Sequence, residues 1–277
     1  MHPRLRDILE LLEEIAPSRL AAVWDNPGLQ VGSYSQEIRK VFLALDPTLR
    51  TLRRAQDRDA QLLVTHHPLI LKPLSRVDIN IYPGEVIFEA VRGEISVVSA
   101  HTNLDVARGG INDILAGLLD LRDVAVLEER EGEYGVGLGR IGDLPEPAGL
   151  LVVVERVKGI LGSRNVNVAG KGGDRIRRLA VVGGSGGSLV SLAFDRGADL
   201  LLTGDVSYHH ALEAESLGIA LLDAGHFSTE KTAFRVFGKD LGERFQAEGW
   251  EVEPGPFRVF NWGDHCPLPT VYCLEVR

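Results

Sequence analysis

Cysteine is nearly absent from this chain. Cys266 and Cys273 are the only two in 277 residues, which excludes a disulfide framework and fits a reducing, cytoplasmic setting. Long apolar runs are missing as well: no stretch approaches the roughly 20 residues that a membrane span requires. The N-terminal segment MHPRLRDILELLEEIAP threads charge through its apolar positions, so no signal peptide is expected. Positive charge is in deficit. With 30 Lys and Arg against 39 Asp and Glu, the formal net charge is −9, the wrong sign for a surface that neutralises nucleic-acid phosphates. Neither a low-complexity linker nor a clear internal repeat occurs, so any domain division comes by insertion and not as beads on a string.

What is present is an ordinary globular composition, 44% hydrophobic and 25% charged, long enough for two modest domains. Leu5, Ile8, Leu11, Leu12 and Ile15 repeat at helical spacing between Pro3 and Pro17, which predicts an amphipathic helix. Residues 22–32 then read as a loop leading into a strand, with turn chemistry at Asp25-Asn26-Pro27-Gly28. A rhythm follows: strand Val41–Leu45, a helix from Thr48, strand Leu62–Thr65, a helix over Val86–Arg92, strand Ile95–Ser99. Alternating apolar strands and amphipathic helices predict a parallel sheet with crossover helices, whose ligands gather beyond the carboxyl ends of the strands. The three strands run into Asp46, His66-His67 and His101.

Further along, helices are predicted over Ile111–Leu121, Leu150–Leu161 and Thr229–Glu248, and a strand or hairpin around Gly135–Ile141 that breaks at Pro145-Glu146-Pro147. Strands are predicted at Val166–Ala169, Arg178–Val182, Ile219–Leu222, Glu251–Glu253, Phe257–Phe260 and Val271–Val276. The turn Gly183-Gly184-Ser185-Gly186-Gly187 could seat an anion at a helix start or pack tightly against a neighbouring backbone. It matches neither the dinucleotide nor the P-loop fingerprint.

Three histidine junctions organise the chain. His226 and Glu230, in the segment Leu201–Glu230, stand four residues apart, one above the other on a helical turn, and can grip one ion. His101 and Asp105 also span one turn. His66 and His67 would face opposite sides of a continuing strand, but Pro68 ends the ladder and lets the two imidazoles diverge toward two ions. Each junction alone reads equally as a capped loop or helix entry; together they put imidazoles and acids directly after buried strands. His209 and His210 read as surface or supporting residues, and His265-Cys266 as structural for want of a partner cysteine.

The segments Trp24–Gly32, Thr65-His66-His67-Pro68, His101-Thr102-Asn103-Leu104-Asp105, Gly137–Arg140, Val182–Gly187, Thr203-Gly204-Asp205 and Asp223-Ala224-Gly225-His226 with Glu230 occur in an order that resembles the NGG-interacting-factor-three-like family. Its members are also called dinuclear metal-centre hexameric proteins or GTP cyclohydrolase type 2 homologues. The resemblance covers nearly the whole chain; only the segment Phe260–Pro267 departs from the pattern. It implies an α/β subunit of two interlocked domains with largely parallel sheets. The first would comprise residues 1–105 and 230–277, the second would be inserted over 106–229, and a two-metal site would lie at their seam. His67 and Asp105 look like ligands of one divalent ion, His66 and His226 of the other, and Glu230 like the bridge, with His101 an extra ligand or a catalytic proton carrier.

Nitrogen and carboxylate donors suit Zn, Fe, Mn or Co. Six subunits would close into a ring, and a small-molecule substrate would be hydrolysed, with GTP suggested by the family label alone. A metal-binding or metal-delivery scaffold and a regulatory interaction protein are the alternatives.

Overall fold

The computed structural model describes residues 2–170, 175–251 and 253–254. Helix α1 (Leu5–Ile15) buries Leu5, Ile8, Leu11 and Leu12, the apolar stripe read from the sequence. Strand β1 (Gly28–Val31), β2 (Lys40–Ala44), helix α2 (Leu49–Gln56), β3 (Leu62–Thr65), α3 (Gly84–Arg92) and β4 (Ser96–Ser99) follow. Thr48 starts α2 as its cap, its hydroxyl accepting from the Thr51 amide at 3.1 Å. After α4 (Thr102–Val106) and α5 (Ile111–Leu118) come β5 (Arg122–Arg130), β6 (Glu133–Ala148), α6 (Leu150–Leu161), β7 (Asn167–Ala169), β8 (Ile176–Ser185) and α7 (Val190–Asp195). The chain continues through β9 (Leu200–Gly204), α8 (Tyr208–Leu217), β10 (Ala220–Asp223) and α9 (His226–Ala247) to β11 (Glu253–Pro254).

These elements make an α/β fold with two sheets. The first is five-stranded, β1-β4-β3-β2-β11; its neighbours are parallel except for β1 against β4, so the expected parallel sheet with crossover helices is present. The second is six-stranded, β5-β6-β8-β9-β10-β7. It is mixed, because β5–β6, β6–β8 and β7–β10 run antiparallel and only β8–β9 and β9–β10 are parallel. The hairpin β5–β6 is longer than the sequence predicts, and the expected break at Pro145-Glu146-Pro147 falls inside β6. Those prolines sit where β6 slips register against β8, between Asp143 and Ala148, and beyond the point where β5 pairs. A missing N–H costs no ladder bond at such an irregularity. The predicted strands Phe257–Phe260 and Val271–Val276, with His265, Cys266 and the departing segment Phe260–Pro267, lie outside the described residues.

One apolar cluster binds the two sheets together. It runs from Leu5 and Ile8 through Val64 and Val98 of the first sheet to Leu179 and Leu202 of the second, and takes in Ala233, Phe234, Phe237 and Leu241 of α9. Full burial of a Leu or Phe contributes roughly 1.5–3 kcal/mol each. The long helix α9 is thereby fixed between the sheets, and its first turn is brought against the carboxyl ends of both.

Candidate metal centre

Strand β3 delivers His66 and His67 at its carboxyl end. Their amides still bond back to the preceding ladder, to Ala44 O at 3.3 Å and Leu45 O at 3.0 Å. The two rings lie side by side, centroids 5.2 Å apart and tilted by 47°. Strand β4 delivers His101, which precedes the short helix α4, with Asn103 Oδ1 accepting from the His101 amide at 2.9 Å. Its ring stands 5.2 Å from that of His66 and 5.5 Å from that of His67. From the second sheet, β10 and Gly225 lead into α9, which begins at His226, three residues earlier than the sequence predicts. The helical turn then stacks His226 over Glu230, Nε2 to Oε1 at 2.9 Å.

Each imidazole is held from behind through Nδ1. His66 donates to Ala100 O at 2.8 Å, His67 to Asp46 Oδ1 at 2.8 Å, His101 to Asp25 Oδ1 at 2.8 Å and His226 to Asp205 Oδ2 at 2.6 Å. Carbonyls and carboxylates only accept, so each Nδ1 carries a proton and each Nε2 is turned toward the seam. Facing them are Asp105 and Glu230. His67 Nε2 lies 3.1 Å from Glu230 Oε2, and His66 Nε2 lies 3.5 Å from both Glu230 Oε1 and Asp105 Oδ1.

All six residues singled out from the sequence therefore converge. Donor atoms of five of them form two overlapping groups within 4.8 Å, His66 with His67 and His101, and His67 with His226 and Glu230, and Asp105 Oδ1 lies 3.5 Å from His66 Nε2. His66 and His226 both face Glu230 Oε1, and His67 faces Oε2. His209 and His210 lie on α8 outside both groups, and His210 is occupied as part of the helix cap with Ser207.

Asp25 and Asp205 escaped the sequence analysis, Asp25 because its segment reads as a turn 76 residues from His101. Asp205 had a legible signal. Asp46 follows β2 and Asp205 follows β9, each on the strand parallel to the one that leads to its histidine, and both pairs are 21 residues apart. Adjacent parallel strands place their carboxyl ends side by side, so a carboxylate after one strand reaches an imidazole after the next.

The glycine-rich stretch resolves in favour of close packing. The Gly183 amide donates to Asn112 Oδ1 at 2.8 Å and that of Gly184 to Thr229 Oγ1 at 3.0 Å. At Gly184, with φ +69°, a Cβ would stand 2.4 Å from Glu230 Oε1.

The titratable groups of the cluster shift one another strongly. Burial pushes the Asp105 carboxyl up to about 6 against the pull of His66. Burial also acts on Glu230, but the surrounding imidazoles of His66, His226 and His67 overcome it and hold the carboxyl well below its usual range. Despite burial, Asp46 and Glu230 raise His67 to about 10. The Glu230 hydrogen bond leads in raising His226 to about 9. Protons on these imidazoles balance the buried carboxylates. They do so incompletely, since His66 Nε2, Asp105 Oδ1 and Glu230 Oε2 are buried without a well-formed hydrogen bond. Buried polar atoms in that state are costly, and a divalent cation between nitrogen and oxygen donors satisfies all three.

A model of the family described as Duf34/NIF3 (NGG1p interacting factor 3) matches residues 3–258. The chain belongs to this family. It is similar to a "GTP cyclohydrolase 1 type 2 homolog" of Clostridium perfringens, 33% identical over 245 residues, which are 88% of this chain and 94% of the relative. A Helicobacter pylori protein named "GTP cyclohydrolase 1 type 2" is 34% identical over 234 residues, 82% of this chain and 87% of its own. Among solved structures, a Bacillus cereus protein related to NIF3 superposes with a TM-score of 0.87 at 26% identity, covering 98% of this chain and all (100%) of that one.

Proposed function

We propose that the seam binds two divalent transition-metal ions, Zn, Fe, Mn or Co, and that this Duf34/NIF3 protein is a metal-dependent hydrolase of a nucleotide or related small molecule. The observation that carries the reading is the convergence of four Nε2 atoms of fixed tautomer on two buried carboxylates, of which Asp105 Oδ1 and Glu230 Oε2 lack a well-formed hydrogen bond. As the resemblance implies, His66 and His226, which both face Glu230 Oε1, would hold one ion, and His67 and Asp105 the other. Glu230 would bridge, since Oε1 faces His66 and His226 while Oε2 faces His67. Such ions supply Lewis acidity toward a carbonyl or phosphoryl oxygen and a water acidified to near neutrality.

The rest of the chemistry belongs to the chain. A cavity of about 550 Å³ opens on His101, Asp105, His226 and Glu230 and gives a small molecule access. His101, half-buried at its wall and steered by Asp25, is the group placed to carry a proton at Nε2 between the reacting atoms and the cavity. The names of the relatives make a purine nucleotide the first substrate to try. The six-subunit ring implied by the resemblance belongs to this proposal and is read by light scattering.

Elemental analysis and anomalous scattering of the untreated protein test the metal reading, with Glu230→Ala alongside. Two ions per chain in the wild type and loss of both in the variant are expected; full occupancy in the variant refutes the bridge. Turnover is tested by offering the two-ion protein nucleotides, phosphoesters and cyclic amides. Hydrolysis of none of them favours the scaffold instead.

A further inference from the structure

Trp24 occupies a position that ordinary packing does not explain. The indole is 61% exposed and its neighbour Val23 wholly so, although exposing a large aromatic surface to water is unfavourable. The loop carrying it is nonetheless held tightly on both sides. Ala22 N donates to Thr102 Oγ1 at 3.0 Å, the Asp25 carboxylate accepts from His101, from the Thr102 amide at 3.1 Å and from the Thr102 hydroxyl, and Asn26 Nδ2 donates to Ile70 O at 2.6 Å. A rigid loop thus presents a bare aromatic face, one of the arrangements by which binding sites hold flat ligands at low ordering cost. The ring stands edge-on to His101, centroids 5.9 Å apart, and lines the same cavity as the metal-facing residues.

The charge along that cavity is uneven. Beyond the metal end it is lined by Glu128 and Glu129 of β5. Arg130 is the one Lys or Arg lining it among the described residues, and its guanidinium already donates to Leu20 O at 2.6 Å and Arg19 O at 2.7 Å. Two acidic residues against one guanidinium leave that stretch of the lining net negative, which disfavours an anionic group there.

Building on the metal reading above, we propose that Trp24 is a specificity-determining platform that stacks a planar aromatic or heteroaromatic ring. The ring's reacting substituent points to the seam, and its remote end is neutral or cationic.

The test is calorimetric titration of the metal-loaded full chain with acetohydroxamate and benzohydroxamate, which share a chelating head and differ by a phenyl ring. Benzohydroxamate is expected to bind about tenfold more tightly. Trp24→Leu should reduce that ratio to below about threefold, and Trp24→Phe should keep most of it. Benzohydroxamate with a para-trimethylammonium group should bind more tightly than one with a para-sulfonate. Equal affinity of the wild type for the two plain hydroxamates, or a ratio that survives Trp24→Leu, overturns the platform. Preference for the sulfonate overturns the charge rule. Binding of neither hydroxamate to protein of verified metal content is a different failure, because ions with no open position remove the hydrolase reading on which the platform rests.

Discussion

Asp25→Asn isolates the contribution of a residue that touches no candidate ion. The side chain is fully enclosed. Burial alone would raise its pKa, but the hydrogen bonds from His101 and Thr102 outweigh it and hold the carboxyl at about 2, against an ordinary 3.8. At about 1.4 kcal/mol per tenfold, that depression corresponds to roughly 2–3 kcal/mol of folding stability at neutral pH.

The sign follows from the direction of the shift. A depressed carboxylate stabilises the native state above pH 3.8, and the contribution disappears as pH falls through about 2. In a chain of this size each kcal/mol moves the midpoint by about 2–4 °C, so Asp25→Asn should melt on the order of 5–10 °C lower at pH 7. That gap should close as the pH is lowered from about 4 toward 2. The amide keeps one accepting oxygen where the carboxylate offered two, so His101 and Thr102 compete for it, and weakened support of this kind lowers metal affinity about 10–100-fold. Circular-dichroism melts of the metal-free protein across this pH range, with chelator competition at pH 7, read both effects. Equal melting at pH 7 together with undiminished metal affinity would refute the account of Asp25.

Two further predictions concern the same centre. Gly184→Ala introduces a methyl 2.4 Å from Glu230 Oε1 and 3.3 Å from His226 Nε2, on a backbone at φ +69°. The left-handed conformation costs roughly 1–2 kcal/mol, and the displaced carboxylate should lower metal content, so two ions per chain by elemental analysis would contradict the packing described. Uptake of metal by the metal-free protein should release protons at pH 8, because His67 and His226, raised to about 10 and about 9, must give theirs up. Titration in buffers of different ionisation enthalpy measures this. By the same sign rule, the metal-free fold should lose stability as pH rises from 6.5 through about 10.

Much of the fold was legible because burial writes itself into spacing. α1, β3, α6 and the first parallel sheet follow directly from apolar periodicity. The long β5–β6 hairpin did not, since it carries glycines and prolines at positions that only its irregular pairing makes tolerable. The metal-facing residues were readable because they follow strands whose ends must meet. Asp25 was not. Its contact with His101 is made by a loop folded back across 76 residues, and no periodicity encodes such a return.

The backing of the four imidazoles bears on which cation the protein would carry. Asp25, Asp46, Ala100 O and Asp205 come from four separate parts of the chain, and each fixes one ring from outside the seam. A frame so prepared has little freedom to tighten around a smaller ion or relax around a larger one. Ions that do not match the fixed spacing would bind with strain, so shape, together with cellular supply, would decide the occupant.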